Sequence, residues 1–161
     1  MKRIPLIFSV LCLAVLLFGS GCSSKQVIFA GENEPADFGL SFSEPITFEV
    51  PISAEVAADW VVELTYFPEQ LQGWNEAPVY YIHTAPDGKE TDGKFKIPLK
   101  DAKGEWIGTV QDNGHDRLTE FTFQSGTKMA AGKHGFKIYG DNTQQGQPIL
   151  GIVRFTLKVK G

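Results

Sequence analysis

The sequence predicts an all-β fold, an antiparallel two-sheet β-sandwich of the jelly-roll or immunoglobulin-like kind, behind an N-terminal leader. Apolar and polar residues alternate with a period of two over most of the chain, which is typical of half-buried strands. Turn-forming residues separate these stretches about every 8–12 residues, as they do in sandwiches and barrels. The sequence contains no glycine-rich phosphate loop and no internal repeat, so the pattern favours one β domain.

The chain opens with a short segment that has the layout of an export signal. Lys2 and Arg3 precede an apolar run at 6–18. As a helix this run would be about 20 Å long, whereas a bilayer has about 30 Å of hydrocarbon to cross. We therefore interpret residues 1–21 as a secretory signal rather than a membrane span.

The end of the leader indicates which kind of signal it is. Gly19-Ser20-Gly21-Cys22 resembles a bacterial lipobox, in which the cysteine thiol receives a diacylglyceryl group and becomes the first residue. Gly19 stands where such motifs usually carry leucine, and a plain secretory signal with a coincidental cysteine is the alternative. The resemblance implies a lipoprotein signal peptide at 1–21 and lipidation of Cys22, and two or three acyl chains anchor a protein stably. Ser23 after the cysteine favours the outer membrane, with the protein facing the periplasm.

Cysteine usage and charge exclude several classes of function. Cys12 lies in the leader and Cys22 would be acylated, so the mature chain keeps no thiol for a disulfide, a zinc site or a catalytic nucleophile. The mature chain has a net charge of −6, because the leader carries two of the 15 basic residues and none of the 19 acidic ones. A negative surface disfavours nucleic acid as a partner, and it leaves the lipid, not a basic patch, as the membrane attachment.

The mature chain divides into a tether and a domain. Residues 22–45 begin with an apolar segment at 27–29 and then become mixed in character, which predicts a lipidated tether with room for one early strand. Residues 46–161 predict the β-sandwich domain. Alternating apolar residues predict its strands at 46–52, 60–66, 79–82, 95–99, 121–123, 136–138 and 153–159, and turn residues lie at 86–88, 91–93, 101–104, 112–114 and 141–142.

Candidate catalytic residues do not form a recognisable motif. His83, His115 and His134 belong to different predicted elements and lack the helical or hairpin spacing of metal ligands, so we expect solvated loop or strand histidines. Ser125 fits a turn rather than the Gly-x-Ser-x-Gly sequence of a nucleophile elbow. The sequence therefore predicts a protein that is not an enzyme and that binds no cofactor.

One acidic loop is a candidate for calcium binding. Asp112-Asn113-Gly114-His115-Asp116 places two carboxylates, Asp112 and Asp116, and an amide around a glycine. The loop lacks the alternation and the terminal glutamate of an EF-hand, and turn formation alone would explain the same residues. We therefore predict no metal site and keep this loop as the calcium alternative.

Three aromatic residues are candidates for contact with a partner or a ligand. Trp74 lies in a loop between predicted strands, beside Asn75 and Glu76, where it could stack on a sugar ring or contact a partner protein. Tyr80 and Tyr81 follow it in the next strand. The alternative for Trp74 is a lid over the end of the sandwich, because most large aromatic side chains are mainly buried. Trp60 and Trp106 lie in strand-like stretches and are predicted to be in the core.

Several features of 92–160 follow one another in a characteristic order. They are Leu99-x-Asp101-x-x-Gly104-x-Trp106-x-Gly108, Phe121-x-Phe123, Gly132-x-x-x-Phe136-x-Ile138, and Leu150-Gly151-Ile152 leading into the strand that ends at Lys160. This order resembles the gliding-motility lipoprotein family (GldH type), with His134 where the family usually has tyrosine. The N-terminal half does not show the family's Arg-containing strand and Tyr-rich segment.

The resemblance implies a lipoprotein tied to the gliding and type IX secretion machinery, without known enzymatic activity. It carries over no functional residues, since Gly104 and Gly108 would serve turns and Trp106, Leu157 and Val159 would pack. From the residues and the resemblance we expect a membrane-anchored, non-enzymatic accessory component of a cell-envelope assembly, with an envelope protein as partner. The alternative is a carbohydrate-binding β-sandwich lipoprotein.

Overall fold

The chain forms eleven β-strands and two short 3₁₀ turns in the residues that the structure, a computed structural model, describes: 24–142 and 147–161. The strands are β1 Val27–Asn33, β2 Gly39–Leu40, β3 Ile46–Ile52, β4 Val56–Tyr66, β5 Glu76–Thr84, β6 Glu90–Pro98, β7 Thr109–Val110, β8 Arg117–Met129, β9 Gly132–Gly140, β10 Ile149–Leu150 and β11 Ile152–Lys160. The 3₁₀ turns are Ala36–Phe38 and Pro68–Leu71. Within these ranges, no helix has the length and apolar character needed to cross a bilayer. The predicted signal peptide and Cys22 lie outside the described residues.

The strands pair into two main antiparallel sheets. One sheet has the order β1-β11-β4-β8-β7 and the other the order β3-β9-β5-β6, and the short strands β2 and β10 pair with each other. The prediction of an all-β, antiparallel two-sheet sandwich is therefore confirmed.

Inward-facing side chains of the two sheets form one core. Trp60 of β4 meets Phe136 of β9 edge-to-face, with ring centroids 4.9 Å apart. Phe48 of β3 lies 6.3 Å from Phe155 of β11. These contacts join the sheets because period-two alternation turns every second residue toward the facing sheet.

The segment predicted as a tether contains two strands of the fold. β1 pairs along its length with β11, and β2 pairs with β10, so the ordered sandwich begins near residue 27 rather than at 46. The alternation in β1 is weak because an inward position is glycine. A side chain at Gly31 would come within 2.8 Å of the Phe29 ring and 3.0 Å of the Phe48 ring.

The sandwich has two ends, which we call proximal and distal. At the proximal end, Gln26 and Gly161 exchange two backbone hydrogen bonds of 2.9 Å, and Lys25 Nζ lies 2.6 Å from Asp59 Oδ1. At the distal end, Tyr66 closes β4. The two ends are about 20 Å apart, because Asp59 and Tyr66 are separated by seven residues of one strand.

Candidate functional site

The distal end contains a pocket of about 420 Å³. Four separate chain segments line it: Phe38, residues 67–70, residues 113–116 and residues 151–153. Pockets of this size lie within the range that binds small molecules or single side chains of a partner. We call this cavity the distal pocket.

Aromatic rings form the walls of the distal pocket. The rings of Phe67 and His115 lie 6.4 Å apart at an angle of 82°, so they meet as two perpendicular walls. The backbone N–H of Phe67 donates to the carbonyl oxygen of Gly151 at 2.8 Å, which ties this wall to the start of β11. Phe38, on the first 3₁₀ turn, contributes a third ring that is 55% exposed.

The backbone at Phe38 is strained. Asp37 and Phe38 have φ angles of 54° and 49° and are the non-glycine residues with positive φ among those described. A bulky residue in the left-handed region is an outlier that the rest of the structure must hold in place. Such strain concentrates at binding and catalytic positions, and here it projects an aromatic ring at the mouth of a pocket.

A glycine lets the second 3₁₀ turn lie close to the start of β11 beside the distal pocket. Gly151 has φ +88°, and a Cβ atom there would lie 3.0 Å from the Phe67 carbonyl oxygen and 3.1 Å from Leu71 Cγ. A larger residue would therefore push the 3₁₀ turn away from β11. The sequence indicated Gly151 only as part of a Gly-Ile pair before the last strand.

Carboxylate and amide groups complete the lining of the distal pocket. Glu69 and Gln70 come from the second 3₁₀ turn, and Asn113 and Asp116 come from the turn between β7 and β8. Both Glu69 and Gln70 are exposed. The pocket therefore combines aromatic faces with two carboxylates.

The acidic turn before β8 is held by its own asparagine. Asn113 Oδ1 accepts hydrogen bonds from the backbone N–H groups of His115, at 3.0 Å, and Asp116, at 2.9 Å. Its Nδ2 donates to Asp116 Oδ2 at 2.7 Å. The calcium alternative predicted converging oxygens, but the amide presents N–H to Asp116, and Asp112 is exposed. In 24–142 and 147–161, no group of three or more His, Cys, Asp or Glu side chains could hold a metal ion.

Trp74 lies outside the distal pocket. It is partly buried and packs against the core, and its backbone N–H donates to the Leu71 carbonyl oxygen at 2.9 Å. Its exposed edge lines a second, shallow pocket of about 230 Å³, together with Asn75, Glu76 and Lys96. Trp74 is therefore both a lid over the core and part of a surface depression.

Tyr80 and Tyr81 lie on opposite faces of β5, because successive strand residues alternate in direction. Tyr80 is on the outer face, with its ring 5.8 Å from the ring of Tyr139. Tyr81 is 5% exposed, and its hydroxyl accepts a hydrogen bond from Gln124 at 3.2 Å. The expectation that Tyr81 contacts a ligand is wrong: it is a core residue.

Two of the three histidines are buried together, contrary to the expectation that they are solvated. His83 and His134 are 8% and 1% exposed, and His83 Nε2 lies 2.9 Å from His134 Nδ1. His134 Nε2 lies 2.9 Å from the Ala130 carbonyl oxygen, which can only accept. In the neutral pair, His134 Nε2–H therefore donates to Ala130 and His83 Nε2–H donates to His134 Nδ1. No sequence pattern indicated this pair, because its two members are 51 residues apart and come together only when β5 pairs with β9.

Burial affects the titration of His83. Desolvation, together with the neighbouring His134, lowers the pKa of His83 to about 4. His83 therefore stays uncharged at neutral pH, where it packs 4.7 Å from the Trp60 ring. We assign the pair to the core rather than to a reactive site.

Comparison with known proteins gives no guide to the function of this chain. No known family model, curated protein or solved structure matches this chain. The chemistry of the distal pocket and its position in the fold are therefore the basis for inferring function.

Proposed function

We propose that this chain is a bacterial lipoprotein, anchored through Cys22 in the outer membrane and facing the periplasm. We further propose that it is a non-enzymatic accessory component of a cell-envelope assembly. The observation that carries the proposal is the location of the distal pocket, at the end of the sandwich opposite the point where the chain enters from Cys22. The link to gliding motility and type IX secretion rests on the family resemblance of the C-terminal half.

The position of Cys22 along the chain relates the lipid to the proximal end. Cys22 precedes Lys25 by three residues, which span at most about 10 Å. Lys25 is fastened to β4 by the contact between its Nζ and Asp59 Oδ1 at 2.6 Å. An acyl group on Cys22 would therefore hold the proximal end next to the bilayer and leave the distal pocket about 20 Å further out.

The surface at the proximal end suits a membrane-adjacent position. Val27 and Ile28 are 45% and 44% exposed. They are the first two residues of β1, next to Lys25. Apolar side chains at this end can rest against the interface that the acyl chains enter.

The first test concerns the anchor. Mass spectrometry of the mature N-terminal peptide should show a diacylglyceryl-modified Cys22 with residues 1–21 removed. The variant Cys22→Ser should keep its leader and be absent from the outer-membrane fraction. A mature N-terminus at an unmodified residue would contradict the lipoprotein assignment.

The second test concerns the assembly. Crosslinking of the wild-type lipoprotein in cells, followed by affinity capture, should recover envelope proteins that a Cys22→Ser control does not recover. A deletion strain should show a defect in motility or in protein secretion. Normal motility and secretion, with no envelope protein captured, would count against this role.

Carbohydrate binding is the second candidate function, and the depression beside Trp74 favours it. There an indole edge lies next to Asn75, Glu76 and Lys96, which together offer a stacking surface with hydrogen-bond donors and acceptors. A glycan array should then show specific binding that Trp74→Ala abolishes. The control variant Phe42→Ala, which removes an exposed aromatic ring elsewhere, should leave that binding unchanged.

A further inference from the structure

We propose that the distal pocket binds an arginine or lysine side chain of a partner protein. This inference rests on the proposed role as a binding component and names the chemistry of the partner. Its basis is the combination of aromatic walls and carboxylates in a cavity of about 420 Å³.

The charge of the lining favours a cation. Its ionisable residues are Glu69, Asp116 and His115, and no Lys or Arg of the described chain lines the pocket. The neighbouring Arg117 is directed elsewhere, since its guanidinium donates to the carbonyl oxygens of Trp106, at 2.9 Å, and Gly108, at 3.4 Å. A positive group entering the pocket would therefore meet carboxylates without competition from a resident cation.

The aromatic walls suit the shape of a basic side chain. Cations are attracted to the faces of aromatic rings, and the planar guanidinium of arginine also stacks on them. The perpendicular rings of Phe67 and His115 and the exposed ring of Phe38 offer such faces. The methylene stem of the ligand would pack on Val153, which also lines the pocket.

A sugar ring fits the same lining less well. A pyranose carries hydroxyl groups around its rim, and each needs a donor or an acceptor. Glu69, Gln70 and Asn113 could supply some of these partners, but a neutral sugar would leave the two carboxylates without a counter-charge. Carboxylates beside aromatic faces are better matched to a cation, and we treat sugar binding here as an outcome that would overturn the proposal.

The test uses the purified mature protein in neutral detergent and a dye-labelled peptide, Leu-Arg-Leu, blocked at both ends. A second peptide with citrulline in place of arginine keeps the shape and removes the charge. We expect saturable binding of the arginine peptide and at least about 5-fold weaker binding of the citrulline peptide, the scale of one exposed cation–π contact. Added salt should weaken the former only.

Variants of the lining separate the contribution of the carboxylates from that of the aromatic rings. Glu69→Gln, at an exposed position, should weaken the arginine peptide several-fold without changing the citrulline peptide, whereas Phe38→Ala should weaken both. Phe42→Ala is the matched control, since Phe42 is also an exposed phenylalanine, and it should bind as wild type. If Phe38→Ala unfolds the protein, Phe38→Leu provides the same comparison without the ring's π-face.

Three outcomes would overturn the proposal. They are equal binding of the arginine and citrulline peptides, no binding of either, and Phe38-dependent binding of a chito-oligosaccharide in place of the peptides. An unmodified Cys22 would refute the anchor but would not affect the peptide titration. Failure of the titration with an acylated Cys22 would refute only this ligand.

Discussion

The buried pair of His83 and His134 joins neighbouring strands by a hydrogen bond whose direction is set by a backbone carbonyl. His134 Nε2 must donate to Ala130, so its Nδ1 is left as an acceptor that only His83 satisfies, at 2.9 Å. Buried polar atoms are costly when they lose their partner. The stability of this core region therefore depends on both rings together.

A double-mutant cycle tests that dependence. His83→Phe should destabilise the protein by about 1–3 kcal/mol, because it leaves His134 Nδ1 unpaired in the core. The double variant with His134→Phe should cost less than the sum of the single changes. Urea denaturation at pH 7 measures all four free energies of unfolding, and additivity would show that the two rings do not act as a pair.

The low pKa of His83 predicts loss of stability in mild acid. Its pKa is about 4 in the folded chain and about 6.5 in an unfolded chain, so the unfolded state takes up the proton first. Stability should fall as the pH drops from about 6.5 to about 4. The double phenylalanine variant should lose this dependence, whereas His115→Gln, at an exposed site, should keep it.

Asp59 predicts a second titration at lower pH. Its carboxylate accepts hydrogen bonds from Lys25, at 2.6 Å, Ser125, at 2.7 Å, and the Gly126 backbone, at 2.8 Å. These donors lower its pKa to about 2, so its stabilising effect is present above about pH 4 and is lost as the pH falls toward 2. Asp59→Asn should lower the melting temperature at pH 7 and match wild type near pH 2. Asp112→Asn, in an exposed turn, should have little effect, and an equal effect would refute this assignment.

At the scale of elements, the segment from Leu99 to Gly108 is held at the distal end by β4 and β8. The Tyr66 hydroxyl lies 2.5 Å from the Ile107 carbonyl oxygen and 3.2 Å from that of Leu99, and burial raises its pKa to about 12. Trp106 packs against Tyr66, with ring centroids 6.0 Å apart. The segment from Leu99 to Gly108, which is a hairpin joined by the Lys100–Trp106 bridge, thus covers the core at the distal end of the sandwich.

Two glycines in this hairpin should differ sharply when replaced by alanine. Both Gly104, at φ +82°, and Gly108, at φ +91°, are left-handed. A Cβ at Gly104 meets nothing within 4 Å, whereas one at Gly108 collides with the Leu118 carbonyl oxygen. Gly104→Ala should cost about 1 kcal/mol, and Gly108→Ala about 2 kcal/mol more. Thermal unfolding measures the difference, and equal costs would contradict the collision.

The sequence predicted those elements whose alternation is complete. β3 carries an apolar residue at each inward position, and β11 does so from Phe155 onward, beyond an irregularity at Ile152–Arg154, so the period-two pattern was sufficient there. β1 was predicted to lie within a tether, because Gly31 interrupts its row of inward-facing apolar residues. Glycine is required there because a side chain would meet the rings of Phe29 and Phe48. The two-residue strands β2 and β10 are too short for any periodic pattern to show.

At the scale of the whole molecule, the distal pocket was beyond prediction because four distant segments form it. Phe38, Phe67, Asp116 and Gly151 are neighbours only after β4, β8 and β11 have paired side by side. The sequence singled out Asp116 within an acidic turn, but for calcium rather than for a pocket. Of the aromatic residues that it favoured, Trp74 and Tyr80 lie outside this pocket and Tyr81 lies in the core.

The proposed anchoring predicts a depth difference between the two ends. The acylated mature chain has no free thiol, so a dye can be attached at Glu55→Cys, at the proximal end, or at Glu69→Cys, at the distal pocket. In liposomes, lipid-borne quenchers should quench the dye at residue 55 more strongly than the dye at 69, about 20 Å further out. Detergent-dispersed protein is the control, and equal quenching in liposomes would contradict the orientation.

The left-handed pair Asp37–Phe38 creates a conflict in evolution, because the substitution that would relieve its strain at residue 38 would also remove an aromatic wall of the pocket. Each left-handed non-glycine residue costs about 1–3 kcal/mol, and glycine would remove most of that cost. Selection for higher stability alone would therefore favour glycine at both positions. Glycine at 37 spares the aromatic wall and should be tolerated in descendants of this chain. Glycine at 38 should become fixed only in lineages where the distal pocket has lost its ligand.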